Sequence, residues 1–245
     1  MSTELNITRI GYFIKRQLYM NVSTMWIAIV AIVGVLLVIS GLTAVNSPTK
    51  IQNLVPLYLL VLYVGGYIFT SKIFSEMHSP QKSYAFLTLP VSTAEKLIGA
   101  LLIVVPVYLI IALAGILILS FTSGLVAGQP MLIPGLTSTE FIYPIGVFLV
   151  TQTFFFLGAV AFRGNNFLKT LLALFVIAIV IGGYSAGLGY LLFGGGEFNM
   201  GAGTASEFKD TAEFIFKDVV PFLFWYVLGP FLLVVSYFKL KERQV

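Results

Sequence analysis

Six long apolar runs separated by shorter polar segments dominate the chain. They lie at about 23–45, 54–74, 97–121, 141–162, 167–193 and 219–238. Each is close to the roughly 20 residues that a helix needs to cross a hydrocarbon core of about 30 Å. The pattern predicts an all-α integral membrane protein with six transmembrane helices in a single transmembrane domain, residues 1–245. Pro106 and Pro230 lie inside the third and sixth runs, where they are expected to kink or locally open the helix.

Residues 1–22, before the first run, follow a different pattern. Their apolar residues recur at helical spacing: Ile7, Ile10, Ile14 and Leu18. Arg9 and Arg16 fall on the opposite side of such a helix. This predicts an N-terminal amphipathic helix in the membrane interface, with its basic face toward anionic headgroups. Packing of the same helix on another subunit is the alternative, and the two are compatible.

Composition supports the membrane assignment. Hydrophobic residues make up 58% of the chain and charged residues 10%, with a mean hydropathy of +0.99. Soluble domains carry about 25% charged residues. A soluble core would not bury so much apolar surface, so the solvent for most of the chain is lipid.

Charge predicts the orientation. If the N-terminus, the second and fourth connections and the C-terminus share one side, that side holds 11 basic residues against four acidic ones, a net +7. The other side holds three against six, a net −3. Lys and Arg in short connections favour the cytoplasm. Both termini are therefore predicted to be cytoplasmic, in an inner or plasma membrane.

Residues for chemistry are scarce. The chain has no cysteine and one histidine, His78, so neither a disulfide framework nor a His/Cys metal site is expected. His78 stands beside Ser79-Pro80 in a polar connection and is predicted to be solvated. No GxxxxGK[ST] pattern is present to cradle ATP phosphates. The sequence thus predicts a non-enzyme with no cofactor of its own.

One short pattern matches a sequence motif of serine hydrolases. Gly183-Tyr184-Ser185-Ala186-Gly187 matches GxSxG, which in a soluble hydrolase exposes a nucleophilic serine between a strand and a helix. Here the pattern lies inside an apolar run. Ser185 is predicted about 25 Å up its helix, whereas His78, the only histidine that could act as its base, is predicted on the cytoplasmic side. Gly183, Ser185 and Gly187 instead predict a small-residue face for close helix packing.

The middles of the runs hold no Asp, Glu, Lys, Arg or His. Ion-coupled transporters usually need such groups or broken helices at the midplane, so their absence argues against secondary transport. Tyr63, Tyr67 and Thr70 share one face of the second helix, and Gln152 lies in the fourth run. These polar residues are either a candidate path for a lipid-like substrate or hydrogen-bonded helix packing.

The most informative stretch is residues 76–97, EMHSPQKSYAFLTLPVSTAEKL, between the second and third runs. It is too polar for lipid, yet Tyr84, Phe86 and Leu87 are apolar on a predicted cytoplasmic side, which favours contact with a partner. A turn tucked under its own bundle is the alternative. Ser92 and Glu95 have capping-box spacing and predict the start of the third helix.

This stretch resembles the cytoplasmic segment of ABC-2 type permeases, the membrane-spanning subunits of ATP-binding cassette transporters. In that family an acidic residue, a polar run, LLxxPVS, a second acidic residue and GK follow one another between the second and third helices. The corresponding residues here are Glu76, Lys82, Phe86-Leu87-Thr88-Leu89-Pro90-Val91-Ser92, Glu95 and Gly99. The chain departs from the pattern at Ala100, where lysine is common, and has no glycine in the polar run. The helix count, the amphipathic N-terminal helix and a large outer connection before the last helix are also similar.

The resemblance implies a permease subunit that exports a hydrophobic or amphipathic compound. ATP and Mg would be bound by separate cytoplasmic ATPase subunits, and the chain would pair with a second permease copy or a paralogue among membrane lipids, without nucleic acid. The implied ATPase-coupling residues are Glu76, Ser79, Lys82, Tyr84, Phe86, Leu87, Leu89, Pro90 and Glu95. Two other functions stay open, an ion-coupled secondary transporter or channel and a non-transporting scaffold or sensor that answers to an ATPase. Export and import, and a homodimer and a heterodimer, are each compatible with the sequence.

Overall fold

Six helices long and apolar enough to cross a membrane organise the protein. The computed structural model describes residues 5–128, 139–193 and 214–243, and within them it contains helices and no strands. The candidate spans are Met25–Asn46, Pro48–Lys72, Thr93–Ala127, Ile142–Ala161, Asn166–Gly187 and Ile215–Glu242. The predicted all-α fold with six membrane-spanning helices is confirmed, and this is the architecture of an integral membrane protein. The predicted large outer connection, residues 194–213, lies outside the described residues.

The elements follow one another with short connections. The α-helices are α1 Ile7–Asn46, α2 Leu54–Lys72, α3 Ser75–His78, α4 Ser83–Leu87, α5 Thr93–Leu102, α6 Tyr108–Ala127, α7 Thr139–Ala161, α8 Asn166–Phe193, α9 Val220–Phe222 and α10 Gly229–Glu242. A 3₁₀ turn, Pro48–Asn53, joins α1 to α2. The π-helical segments are Ile103–Val107, Ile215–Val219 and Leu223–Leu228.

The first helix differs from the prediction. The sequence predicted an interfacial helix over 1–22 followed by a separate span over 23–45, whereas α1 runs without interruption for 40 residues. No proline interrupts it, and Asn6 caps its N-terminus through a hydrogen bond from the Thr8 amide. Its buried residues near this end are Ile10, Phe13 and Gln17, while Ile7 is exposed.

The two interior prolines act on the helices as predicted. Pro106 lies in the π-helical segment that joins α5 to α6 into one continuous span. Pro230 is the second residue of α10, which directly follows another π-helical segment. Proline has no N–H to donate to the preceding turn, and a π-type widening is a usual way for a helix to accommodate that loss.

Packing divides the interior between two clusters. α7 packs on α2, α8 and α10, and α1 packs on α5 and α6. One cluster includes residues of the predicted coupling stretch 76–97, and we call it the coupling-end core. It is built around Phe13, Phe74, Phe86, Phe156 and Leu240. The second, the far core, includes Leu36, Tyr58, Leu62, Leu119 and Phe148.

The structure gathers both ends of the chain at the coupling-end core. Arg16, near the N-terminus, pairs with Glu76 between α2 and α4. Arg243, after α10, contacts His78 and the Ala161 carbonyl at the end of α7. Arg16 and Arg243 thus lie beside the second and fourth connections, at one end of the described structure.

Candidate functional site: the segment between the second and third spans

Two short helices separated by a tight turn form the segment between the second and third spans. α3 ends at His78, and a turn closed by the Ser83 amide donating to the Ser79 carbonyl at 2.8 Å leads into α4. The predicted capping box at the start of α5 is present. The Ser92 amide donates to Glu95 Oε2 at 2.7 Å, and the Glu95 amide donates to Ser92 Oγ at 3.2 Å. We call residues 75–92 the coupling segment.

The inner side of the coupling segment is part of the protein core. Phe86 is 0% exposed and meets the rings of Phe13 and Phe74 edge to face, with centroid distances of 6.2 and 6.3 Å. Such aromatic pairs add stabilisation beyond their burial. The expectation that Phe86 presents an apolar surface to a partner is therefore wrong, because this ring anchors the segment to α1 and α2.

The outer side of the coupling segment is open. Tyr84 is 78% exposed and Leu87 is 36% exposed. Lys82 and Pro90 are also exposed, whereas Ser79 and Leu89 are partly buried. The exposed residues of the predicted coupling set thus surround α4, and the apolar ones among them form a small surface beside a positive charge.

Both acidic residues of the motif are paired within the chain. Glu76 is buried and its Oε2 lies 2.9 Å from Arg16 Nη1. Glu95 is buried, lies 3.0 Å from Arg9 Nη2 and accepts the Asn6 amide at 2.8 Å. Arg9 and Arg16, predicted to face lipid headgroups, are instead bound to carboxylates of this chain. The start of α1 is therefore held to the beginning of the coupling segment through Glu76 and to the first turn of α5 through Glu95.

Two further residues of α5, Gly99 and Lys96, contact the neighbouring helices α1 and α4. A Cβ on Gly99 would lie 2.6 Å from the Phe13 ring, so glycine permits the close approach of α1 to α5. Lys96 is buried, with Nζ 3.4 Å from the Leu87 carbonyl and 5.2 Å from the centre of the Phe86 ring. The Lys96 ammonium therefore stabilises α4 through a hydrogen bond to the Leu87 carbonyl and a cation–π contact with the Phe86 ring.

His78 lies in a polar network, contrary to the expectation that it is solvated. Its Nε2 is 2.8 Å from the Ala159 carbonyl, and its Nδ1 is 2.7 Å from Arg243 Nη1. Since a carbonyl accepts and a guanidinium donates, the ring is neutral, with its proton on Nε2. Asn166 donates to the same Ala159 carbonyl at 3.2 Å and to the Ser71 carbonyl at 3.3 Å. The network joins the coupling segment to the ends of α2, α7 and α8 and to the C-terminal residues.

The environment of His78 favours its neutral form. Burial lowers the pKa of the His78 imidazole, and the nearby positive charges of Arg243, Arg163 and Lys169 lower it further. Its hydrogen bond to the Ala159 carbonyl acts in the opposite direction. The net shift agrees with the neutral ring that the geometry requires.

The polar residues of the second helix make hydrogen bonds across to α7. Tyr67 Oη lies 2.6 Å from Thr151 Oγ1, and Tyr63 Oη donates to the Pro144 carbonyl. Gln152 Nε2 donates to Thr70 Oγ1 and to the Val104 carbonyl, each at 2.7 Å, and both Gln152 and Thr70 are buried.

This arrangement agrees with the packing interpretation of the polar face of α2. The Gln152 contact also satisfies a carbonyl of the π-helical segment around Pro106, where the regular helical pattern is disturbed.

The small-residue face of α8 has no close neighbour among the described residues. A Cβ on Gly183 or Gly187 would meet nothing within 4 Å, and Ser185 is exposed. The predicted packing of Gly183, Ser185 and Gly187 is thus not made inside the described part of this chain, and a contact with another chain stays a prediction.

Several important residues of the site were not predicted from the sequence. Phe13, Arg243 and the Ala159 carbonyl lie far from the motif along the chain and join it only in three dimensions. The spacing of Phe13 three residues after Ile10 and four before Gln17 is a helical signal for one buried face. Nothing in the local sequence around Arg243 identifies His78 as its partner.

The comparisons with known proteins identify no relative. A scan against protein families, a search of curated proteins and a search of solved structures each find no match to this chain. The fold and the site thus define a class, an α-helical membrane protein with six candidate spans and a core-anchored segment between the second and third.

Proposed function

We propose that this chain is the permease subunit of an ATP-binding cassette transporter that moves a hydrophobic or amphipathic compound, and that the energy comes from a separate ATPase subunit. The observation that carries the proposal is the two-sided structure of the coupling segment. Its outer side, with Tyr84 and Leu87, is exposed, and its inner side, with Phe86, is buried among membrane helices. The resemblance of its sequence to that of ABC-2 permeases supports the same role.

The contacts of the segment provide a route for mechanical work. The pair Arg16–Glu76 holds the segment to α1, and the pair Arg9–Glu95 holds the adjoining first turn of α5 to the same helix. Phe86 packs against Phe74. His78 joins it to the end of α7. A force applied at Tyr84 would therefore act on several spans together, as rocking of the bundle between inward-facing and outward-facing states requires.

The charge distribution supports a cytoplasmic position for this segment. It shares one end of the described structure with Arg16 and Arg243, and the sequence predicts an excess of Lys and Arg on that side. ATP is available in the cytoplasm, so an ATPase would reach the exposed side of α4 there. The same reasoning places both termini in the cytoplasm.

Charged residues in the described part give no support to ion-coupled transport. The buried residues there that carry a formal charge are Glu76, Glu95 and Lys96, all of which lie in or next to the coupling segment. Glu76 and Glu95 are paired with arginines. None of them occupies the middle of a span, where a coupling ion or proton would be bound.

Site-specific photo-crosslinking tests the proposal. A benzophenone amino acid placed at Tyr84 should crosslink to an ATPase subunit with an LSGGQ signature in intact membranes. The same group at Tyr143, exposed on α7 away from the coupling segment, is the matched control and should not. In proteoliposomes containing both proteins, Tyr84→Asp should abolish ATP-dependent flux while the thermal midpoint of the permease stays unchanged. Equal crosslinking at the two positions, or unchanged flux, would overturn the assignment.

A further inference from the structure

Three cations converge on the turn between α7 and α8. Lys169 Nζ donates to the Arg163 carbonyl at 2.6 Å, and Arg243 Nη2 donates to the Ala161 carbonyl at 3.0 Å. Arg163 belongs to the turn itself and is exposed. Backbone carbonyls therefore hold two cationic side chains beside a third, at one short connection between two membrane spans.

No carboxylate neutralises this cluster within the described residues. The ion pairs found there join Arg9 to Glu95, Arg16 to Glu76 and Lys239 to Glu242. The segment from Phe162 to Lys169 has no acidic residue. The turn reverses the chain through Gly164 and Asn165, both at positive φ. Like charges gathered at one short turn repel one another, and binding of an anion relieves that repulsion.

The surroundings of the cluster suit a lipid better than a soluble anion. The turn joins the spans Ile142–Ala161 and Asn166–Gly187, so it lies where the hydrocarbon core ends. On α8, Leu168, Leu172 and Phe175 share a helical face directly after the turn and are all exposed. If the cations bind the phosphate of a phospholipid headgroup, the acyl chains of that lipid can lie along these apolar side chains.

We propose that Arg163, Lys169 and Arg243 form a binding site for the phosphate headgroup of an anionic phospholipid, with an acyl chain along the exposed face of α8. The guanidinium groups suit phosphate oxygens because their donors match phosphate geometry, and Lys169 adds a point charge. The site is independent of whether the chain is a transporter subunit.

Native mass spectrometry of the full-length chain in neutral detergent tests the proposal. We expect the protein to retain added phosphatidylglycerol in preference to phosphatidylcholine of the same acyl length. The double variant R163Q/K169Q should reduce retained phosphatidylglycerol by about tenfold or more, because each basic group near a membrane surface contributes about 1 kcal/mol to anionic-lipid binding. R163Q alone, whose side chain makes no hydrogen bond or ion pair in the described part of the chain, should show a smaller loss with unchanged thermal stability.

The double variant K15Q/K82Q is the matched control. It removes the same charge from two exposed residues that belong to α1 and the coupling segment rather than to the turn. It should retain phosphatidylglycerol like the natural chain. Equal losses in the two double variants, or equal retention of the two lipids by the natural chain, would overturn the proposal. Displacement of the lipid by millimolar inorganic phosphate would identify a free anion as the ligand and would likewise overturn it.

Discussion

The rings of Phe13 and Phe86 meet edge to face with their centroids 6.2 Å apart. Phe13 belongs to the first helix, whose later part crosses the membrane, and Phe86 belongs to α4 in the coupling segment. Both rings are buried. The contact therefore makes the start of the chain part of the same core as a segment more than 70 residues away along the chain.

Phe86→Ala should destabilise the protein strongly. Removing a fully buried phenylalanine costs about 3–5 kcal/mol, because apolar contacts are lost and a cavity remains. The expected result is a lower thermal midpoint of the purified chain in detergent. Tyr84→Ala, on the exposed side of the same helix, is the control and should leave the midpoint unchanged. Equal stability of the two variants would show that Phe86 does not anchor the segment.

Glu95→Gln should also reduce stability, by about 1–3 kcal/mol. The buried carboxylate accepts hydrogen bonds from the Asn6 and Ser92 amides and pairs with Arg9, and a neutral amide would offer only one acceptor oxygen. Glu242→Gln removes an exposed pair with Lys239 and should have no measurable effect. Thermal midpoints of the two variants in detergent check both expectations.

Lowering the pH should weaken the His78 network. The pKa of this imidazole is lower in the folded protein than its unfolded value near 6.5, so the unfolded chain binds more protons in this range. Stability should thus be fully present above about pH 6.5 and decrease as the pH falls through the folded pKa. Protonation of Nδ1 also removes the acceptor for Arg243. Thermal midpoints between pH 7.5 and 5.5 measure the effect.

His78→Gln provides the comparison for that experiment. It removes the titrating group, so its thermal midpoint should depend less on pH over the same range than that of the natural chain. Identical pH dependence in the two proteins would assign the effect to other groups.

Gly158→Ala and Gly183→Ala should have opposite effects. A Cβ on Gly158 would lie 1.8 Å from Thr170 Oγ1, which is held by a hydrogen bond to the Asn166 carbonyl, so overpacking should cost about 1–3 kcal/mol. A Cβ on Gly183 would meet nothing within 4 Å in the described part of the chain, and alanine favours a helix over glycine by up to about 1 kcal/mol. Thermal midpoints of the monomeric protein in detergent should fall for the first and stay or rise for the second.

The long-range architecture was largely predictable from the sequence because lipid imposes a simple rule. Each span needs about 20 apolar residues, and the six runs meet that requirement. The capping box at Ser92 and Glu95 and the disturbance at Pro106 were predictable because both depend on neighbouring residues alone. The continuity of α1 through residue 22 was not, because a change in polarity along a chain does not by itself break a helix.

The site was predicted less well because its side chains find partners far along the sequence. Phe86 and Tyr84 are both aromatic and two residues apart, yet one is buried and the other exposed. Which of the two rings is buried depends on contacts with Phe13 and Phe74. No local pattern identifies these two residues as the partners of Phe86. Arg9 and Arg16 were assigned to lipid headgroups for the same reason, since Glu95 and Glu76 are distant in sequence.

The length of α1 has a mechanical consequence. Its 40 residues form an unbroken rod about 60 Å long, which is twice the thickness of the hydrocarbon core. One end is clamped at Phe13 and the other lies beside the far core at Leu36 and Ala44. If this rod tilts about one end, each degree displaces the opposite end by about 1 Å. A small change in the tilt of α1 at Phe13 would thus produce a displacement of several ångströms at the other end of the helix, without any local unfolding.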